Sequence, residues 1–246
     1  MPQIDAMAPE VPAITNIAPG GAGGNYWALT GTAEPNSTVA IFEGSTQLAA
    51  VTASASGSWS YVTTGSVTNS SIRTFTASAS DAAGNTSAFL AAWIEGTAGN
   101  DTFDFASRAN LVAPGEVDGN GGTDTISMTA PVTLGSGYFA NVTSVETLQL
   151  TGASTVTLGA DAATAGIVNI VTGAGTTGIT DTNGVALSVD ATALADDLTL
   201  TLAGSAARTV TGVRGDLAAS GVSGALNVTT VAVASGLSIA TGSGSN

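Results

Sequence analysis

Residues 141–160 read NVTSVETLQLTGASTVTLGA, and the same texture continues in IVNIV (167–171), ALSVD (186–190), LTLTL (198–202), RTVTGV (208–213), ALNVTTVAV (225–233) and LSIA (237–240). Most of these runs alternate aliphatic residues with Thr, Ser or Asn, the period of two that sends one set of side chains to each face of a strand. The centres Leu148, Ile170 and Val189 lie 22 and 19 positions apart, whereas Val189, Leu200 and Val210 are separated by 11 and 10. Those are whole-turn and half-turn intervals of a coil. Short strands joined by Gly, Ala and Ser turns make stacked parallel coils, a β-solenoid over residues 128–246, the simplest architecture; a second sandwich of irregular strands is the competitor.

Toward the N-terminus the runs lengthen and the turns become conventional. Trp27/Leu29, Val39/Ile41, Trp59/Tyr61 and Phe75/Ala77 alternate with polar residues and are the expected inward-facing sets. Glu34-Pro35-Asn36, Ser56-Gly57 and Asp81-Ala82-Ala83-Gly84-Asn85 supply turns. Gly, Pro and β-branched residues interrupt nearly every window long enough for a helix, Ala191 to Asp197 being the one short exception. The fold class is therefore all-β.

The phrases ALTGTAEPNSTVAIFEG, ASGSWSYVT and RTFTASASDAAGNTSA, in that order, resemble one bacterial immunoglobulin-like repeat of the kind strung through large adhesins. The resemblance covers residues 9–92, after an N-terminal tail of residues 1–8, and implies a seven-stranded sandwich acting as a spacer. In such repeats the Asp and Asn of the DxxGN turn often lie near a calcium at a domain junction. That makes Asp81 and Asn85 possible ligands here, the alternative being that they only cap a turn.

Residues 93–127 form the expected junction. Gly96-Thr97-Ala98-Gly99-Asn100-Asp101-Thr102-Phe103-Asp104 follows the nonapeptide G-G-x-G-x-D-x-U-x except at its second position, and Gly119-Asn120-Gly121-Gly122-Thr123-Asp124-Thr125-Ile126-Ser127 departs at that same position. The two resemble repeats-in-toxin calcium motifs. Glycines let the backbone turn tightly and aim carbonyl oxygens inward, Asp supplies charge, and Phe103 or Ile126 anchors the next strand. Asp101 and Asp124 are 23 apart, a spacing compatible with one shared Ca2+ between stacked turns. Gly99, Asn120 and Gly122 are the oxygen donors expected from the turns, with Asp118 and Asp104 adding charge. The alternative is a pair of acidic turns that bind no ion. The string from Val117 to Gly152 also resembles coil-rich parts of bacterial surface-layer proteins and related type I secreted surface proteins; that resemblance covers about Gly96 to Gly244 and implies an extracellular, calcium-dependent scaffold.

Composition narrows the chemistry. The 246 residues include no Cys, His or Lys; the cations are Arg73, Arg108, Arg208 and Arg214, against 18 carboxylates, for a net charge of −14. No Ser-His-Asp or Cys-His nucleophile, imidazole or thiolate zinc site, Schiff base or P-loop can be built from this set. Carboxylates, amides and carbonyls remain, and these hard oxygen donors suit calcium. An acidic chain repels phosphate backbones, so nucleic acid is not an expected partner. No apolar run reaches the roughly 18 residues of a membrane helix, and the first residues have neither the cationic start nor the apolar core of a secretory signal. The abrupt GSGSN end suggests a piece of a longer chain.

Other candidates are weaker. The adjacent pair Asp196-Asp197 would point to opposite faces of a strand and fits a solvated turn better than a glycosidase pair. Trp27 and Trp59 fall on core positions, leaving Trp93 as the one tryptophan free to stack on a sugar. The Thr-x-Thr pairs at 155/157, 199/201 and 209/211 are irregularly spaced, against an ice-binding lattice. The expectation is a non-enzymatic segment of a secreted bacterial surface protein whose partners are neighbouring domains or subunits of a surface assembly, and carbohydrate. The alternatives are an accessory region of a secreted hydrolase or lyase, or a solenoid that binds carbohydrate or ice.

Overall fold

The computed structural model describes residues 5–20, 26–63, 72–231 and 236–244. The end of the ALNVTTVAV run and the first four residues of the expected tail lie outside them. Contacts divide the chain into two units, Met1–Ala98 with Pro114–Val117, and Gly99–Ala113 with Asp118–Asn246.

The first unit contains β1 (Ala13–Gly20), β2 (Tyr26–Thr32), β3 (Thr38–Glu43), β4 (Thr46–Thr52), β5 (Ser58–Val62), β6 (Arg73–Ser80) and β7 (Trp93–Glu95). One sheet runs β1-β2-β5; in the other, β4, β3, β6 and β7 are successive neighbours. Their pairings are antiparallel. The alternating residues Trp27, Leu29, Val39, Ile41, Trp59, Phe75 and Ala77 are all buried and form one core, against which Tyr61, Leu90 and Trp93 pack. Trp93 is therefore a core-packing residue: its ring covers apolar side chains and its indole nitrogen is buried, so it is not the free sugar-stacking surface expected from its place in the sequence. Arg73 donates to Glu43 across β6 and β3, a part-buried pair at neighbouring strands.

The remaining strands are β8 (Thr102–Phe105), β9 (Glu116–Asp118), β10 (Thr125–Met128), β11 (Thr133–Leu134), β12 (Val142–Thr143), β13 (Thr147–Gln149), β14 (Thr155–Leu158), β15 (Asn169–Val171), β16 (Gly178–Asp181), β17 (Leu187–Asp190), β18 (Thr199–Gly204), β19 (Arg208–Val213), β20 (Asp216–Val222), β21 (Leu226–Thr230) and β22 (Ile239–Ala240). A seven-stranded sheet has the order β8-β10-β13-β15-β17-β19-β21, a six-stranded one β11-β14-β16-β18-β20-β22. Both are parallel. From β13 to β22 the chain alternates between them at every step.

The register explains the sequence intervals. Phe103, Ile126, Leu148, Ile170, Val189, Val210 and Val228 are direct partners on successive strands of the seven-stranded sheet. The first six are buried, and Leu200, half an interval away, belongs to the six-stranded sheet. Each fully buried aliphatic or aromatic side chain stabilises such a stack by roughly 1.5–3 kcal/mol.

Helices are minor. Helix α1 (Arg108–Val112) begins at Ser107, whose hydroxyl accepts from the Asn110 N–H, and α2 (Ala160–Ala165) ends at Gly166 in the left-handed region. Ala191 to Asp197 forms turns rather than a helix, and Asp196 and Asp197 are exposed there. Among the described residues no helix is long and apolar enough to cross a membrane.

Ile170→Ala removes an aliphatic side chain that is 1% exposed and should destabilise the chain by about 2–5 kcal/mol, whereas the outward-facing Gln149→Ala should stay within about 0.5 kcal/mol of the parent. Urea titration followed by far-UV circular dichroism measures both, and similar losses at the two positions would refute the assigned inner face.

Candidate functional site

The two acidic glycine turns lie one above the other. Thr102 pairs with Thr125 and Phe103 with Ile126, so the 23-residue spacing of Asp101 and Asp124 is one step of the parallel stack. The Thr123 N–H donates to Asn100 Oδ1 at 2.9 Å, and the Thr125 N–H to the Asp101 carbonyl at 2.9 Å. Gly122, at φ +115°, sits against the backbone of Gly99: a Cβ there would come within 2.6 Å of the Gly99 carbonyl carbon and oxygen. Glycine at that position permits both the turn and its close approach to the turn below.

The next strand extends the column. Thr125 pairs with Thr147, which puts Glu146 one step beyond Asp124 just as Asp124 is one step beyond Asp101. Asp124 Oδ1 accepts the Asp101 N–H at 2.7 Å, and Glu146 Oε2 accepts the Asp124 N–H at 2.8 Å. Each carboxylate thus satisfies the backbone donor of the strand before it. Glu146 belongs to neither nonapeptide and motif reading missed it; the 22-residue interval from Asp124, equal to that from Ile126 to Leu148, was the available signal.

Asp124 is the centre of the arrangement. It is 1% exposed, and its Oδ2 is buried with no hydrogen-bond partner. Gly119 packs onto that oxygen, since a Cβ at Gly119 would lie 2.5 Å from Oδ2 and 2.0 Å from the Ser144 carbonyl. Asn120 and Ser144 hold left-handed φ values of 65° and 54°, conformations that cost non-glycine residues energy. The Asp118 carboxylate accepts the Asn120 N–H at 2.9 Å. Burial raises the Asp124 pKa, and the negative charges of Asp101, Glu146 and Asp118 raise it further, against the lowering effect of the Asp101 N–H.

The expected ligand residues therefore divide. Asp101, Asp118, Asp124, Asn120, Gly99 and Gly122 belong to the stacked turns. Asp104, paired with Ser127 farther along β8, faces solvent on the strand. Among the described residues no group of three acidic side chains is spaced to hold a metal ion. A cation at the stacked turns would have to draw on two carboxylates at most, together with carbonyl or amide oxygens.

Asp81 and Asn85 lie in the other unit and serve each other. The Asn85 N–H donates to Asp81 Oδ1 at 2.9 Å and its side-chain amide to Oδ2 at 2.7 Å. These bonds, the amide foremost, lower the Asp81 pKa. The same amide reaches the Asp5 carbonyl at 3.2 Å, and Asp5, Glu34 and Asp81 line a cavity of about 470 Å³. The bonds between Asp81 and Asn85 cap the turn.

Residues 8–94 match the family described as Bacterial Ig domain, which accounts for the antiparallel strands β1–β7. No curated protein and no solved structure matched the chain.

The pH response of Asp124 has a definite sign. A carboxylic acid whose pKa is raised by folding costs stability when ionised. Without divalent cations, the Asp124 contribution should therefore be flat near neutral pH, become less destabilising as pH falls through the raised folded-state pKa, and level off below the unfolded value. Asp124→Asn, which keeps the acceptor for Asp101, should be more stable than the parent at pH 7 in chelator and gain less on acidification. Melting midpoints from pH 3 to 7 test this, and parallel pH profiles for the two proteins would refute it.

Proposed function

We propose that this chain is a non-enzymatic, calcium-stabilised segment of a secreted bacterial surface protein, with an immunoglobulin-like spacer followed by a parallel β-solenoid. The match of residues 8–94 to the Bacterial Ig domain family fits a surface or extracellular protein. Two parallel sheets visited in alternation support the solenoid, because a coiling chain produces that strand order.

The observation that carries the calcium assignment is the buried Asp124 carboxylate, with one oxygen unpartnered and acidic neighbours around it. A buried carboxylate oxygen without a donor is costly, and a hard divalent cation relieves that cost together with the repulsion from Asp101, Asp118 and Glu146. The donor set fits: Asp101 and Asp124 would supply charge, and backbone oxygens of the Gly99 and Gly122 turns the remaining ligands. Calcium would neutralise the stacked turns and favour their ordered form. Export through a low-calcium compartment would keep the acidic turns self-repelling, and millimolar calcium outside would promote folding from this end of the stack.

Calcium at about 100 times its Kd should raise stability by about 2.7 kcal/mol relative to chelator, because it binds the folded form alone. Asp101→Ala and Asp124→Ala should each abolish most of that gain, while Asp216→Ala, on β20, should retain it. Calorimetric melting with calcium and with chelator provides the measurement. An unchanged midpoint in the parent chain would remove calcium from the assignment.

A further inference from the structure

The register that stacks the apolar residues also lines up their outward neighbours. Thr102, Thr125, Thr147, Asn169, Ser188, Thr209 and Asn227 are direct partners on the seven consecutive strands of the larger parallel sheet. Each is exposed or half-exposed. Every member is a hydroxyl or an amide, and none is charged in a chain of net charge −14.

None of these seven side chains has a hydrogen-bond partner among the described residues. The six-stranded sheet differs, because there the outward Thr155 donates to Thr133 at 3.3 Å and the column is interrupted by Gly178 and Ala218. Midway along the seven-stranded column, Asn169, Ser188 and Thr209 border a shallow hollow of about 370 Å³ whose other walls include Val168, Ala186 and Ala207. Polar groups with free hydrogen-bonding capacity thus rim a patch of aliphatic surface, the mixed lining that small-molecule and sugar sites use.

We infer that this face binds a neutral polysaccharide, with Asn169, Ser188 and Thr209 hydrogen-bonding its hydroxyls and the aliphatic hollow taking a sugar ring. Three properties favour that occupant. A chain this acidic repels anionic polymers, whereas the column itself is uncharged. Strands about 4.8 Å apart repeat the polar groups at a spacing close to the length of one pyranose unit, so several units of an extended glycan can be met in register. The next column of register partners, Asp104, Ser127, Gln149, Val171, Asp190 and Thr211, mixes charge, amide and aliphatic groups and includes the buried Ser127, which disfavours the uniform double threonine row an ice surface would require. This binding is independent of the calcium assignment, since the three residues lie on β15, β17 and β19, away from the acidic turns.

The test is co-sedimentation of the full chain, in calcium, with microcrystalline cellulose, with chitin and with calcium alginate beads. Retention on cellulose or chitin but not on alginate is expected. The double substitution Ser188→Glu/Thr209→Glu should lower the affinity about tenfold or more, the order expected from losing one or two hydrogen bonds and introducing charge. Thr133→Glu/Thr201→Glu, on the other sheet, should leave binding unchanged. Melting midpoints check that each protein is folded, and Asn169→Ala/Thr209→Ala serves as the milder pair if the charged one unfolds. Failure to bind either neutral polymer, equal loss from both sheets, retention on alginate alone, or ice-crystal shaping without polymer retention would each overturn the assignment.

Discussion

In-register stacking is the constraint on which the larger unit depends. Each inward residue from Phe103 to Val228 must sit directly on its partner one strand away, although the chain reaches that partner only after 18 to 23 residues. A slip of one residue would bring the Thr102 column into the core and expose the apolar set. Polar bonds work alongside the apolar column to fix the register. Asp124 and Glu146 each accept a backbone N–H from the preceding strand, and the Ser154 hydroxyl accepts from Val132 while donating to the Thr151 carbonyl. Such bonds require one partner at one height, whereas aliphatic contacts tolerate small displacements.

Much of this was legible because a strand's period of two and a stack's long interval both leave marks in sequence. Leu148, Ile170, Val189 and Val210 showed the whole interval and Leu200 the half interval, and in the first unit the alternating tryptophans and aliphatics marked the sandwich core. What could not be read depends on contacts far apart in sequence. Trp93 looked free because nothing near it in the chain indicates that it packs on Phe75 and its neighbours. Glu146 was hidden because it follows no glycine motif, and only its height in the stack relates it to Asp124. The two short helices escaped because each rests on one local device, the Ser107 cap or the left-handed Gly166, rather than on helical periodicity.

Position in the stack also reassigns the threonines. Pairs separated by two residues along one strand attract attention in sequence, yet residues on a single face are assembled from different strands. Thr102, Thr125 and Thr147 never occur near one another in the chain, and they form a line only because the stack returns to the same height every 22 or 23 residues. Surface patterning in these parallel sheets has to be sought at the interval between paired strands.

Among the described residues of the parallel-sheet unit, two carboxylates are buried, Asp124 and Asp181, and their surroundings are opposite. Asp181 is almost fully buried and faces Arg208, which is 0% exposed; the guanidinium reaches Asp181 Oδ2 at 3.4 Å and donates to the carbonyls of Val185, Ala203, Ala206 and Ala207. Asp181 also accepts the N–H groups of Asn183 and Gly184, so its charge is balanced from within the chain. Asp124 is buried as deeply, but the charges that act on it are carboxylates, and one of its oxygens has no donor. The energetics of a buried, unpaired carboxylate are unfavourable whatever the fold around it. None of the four arginines is among the charges acting on Asp124, so within the described residues its ionised form is opposed rather than balanced. Protonation removes that charge in acid, so the raised pKa of Asp124 ties stability at this end of the stack to pH.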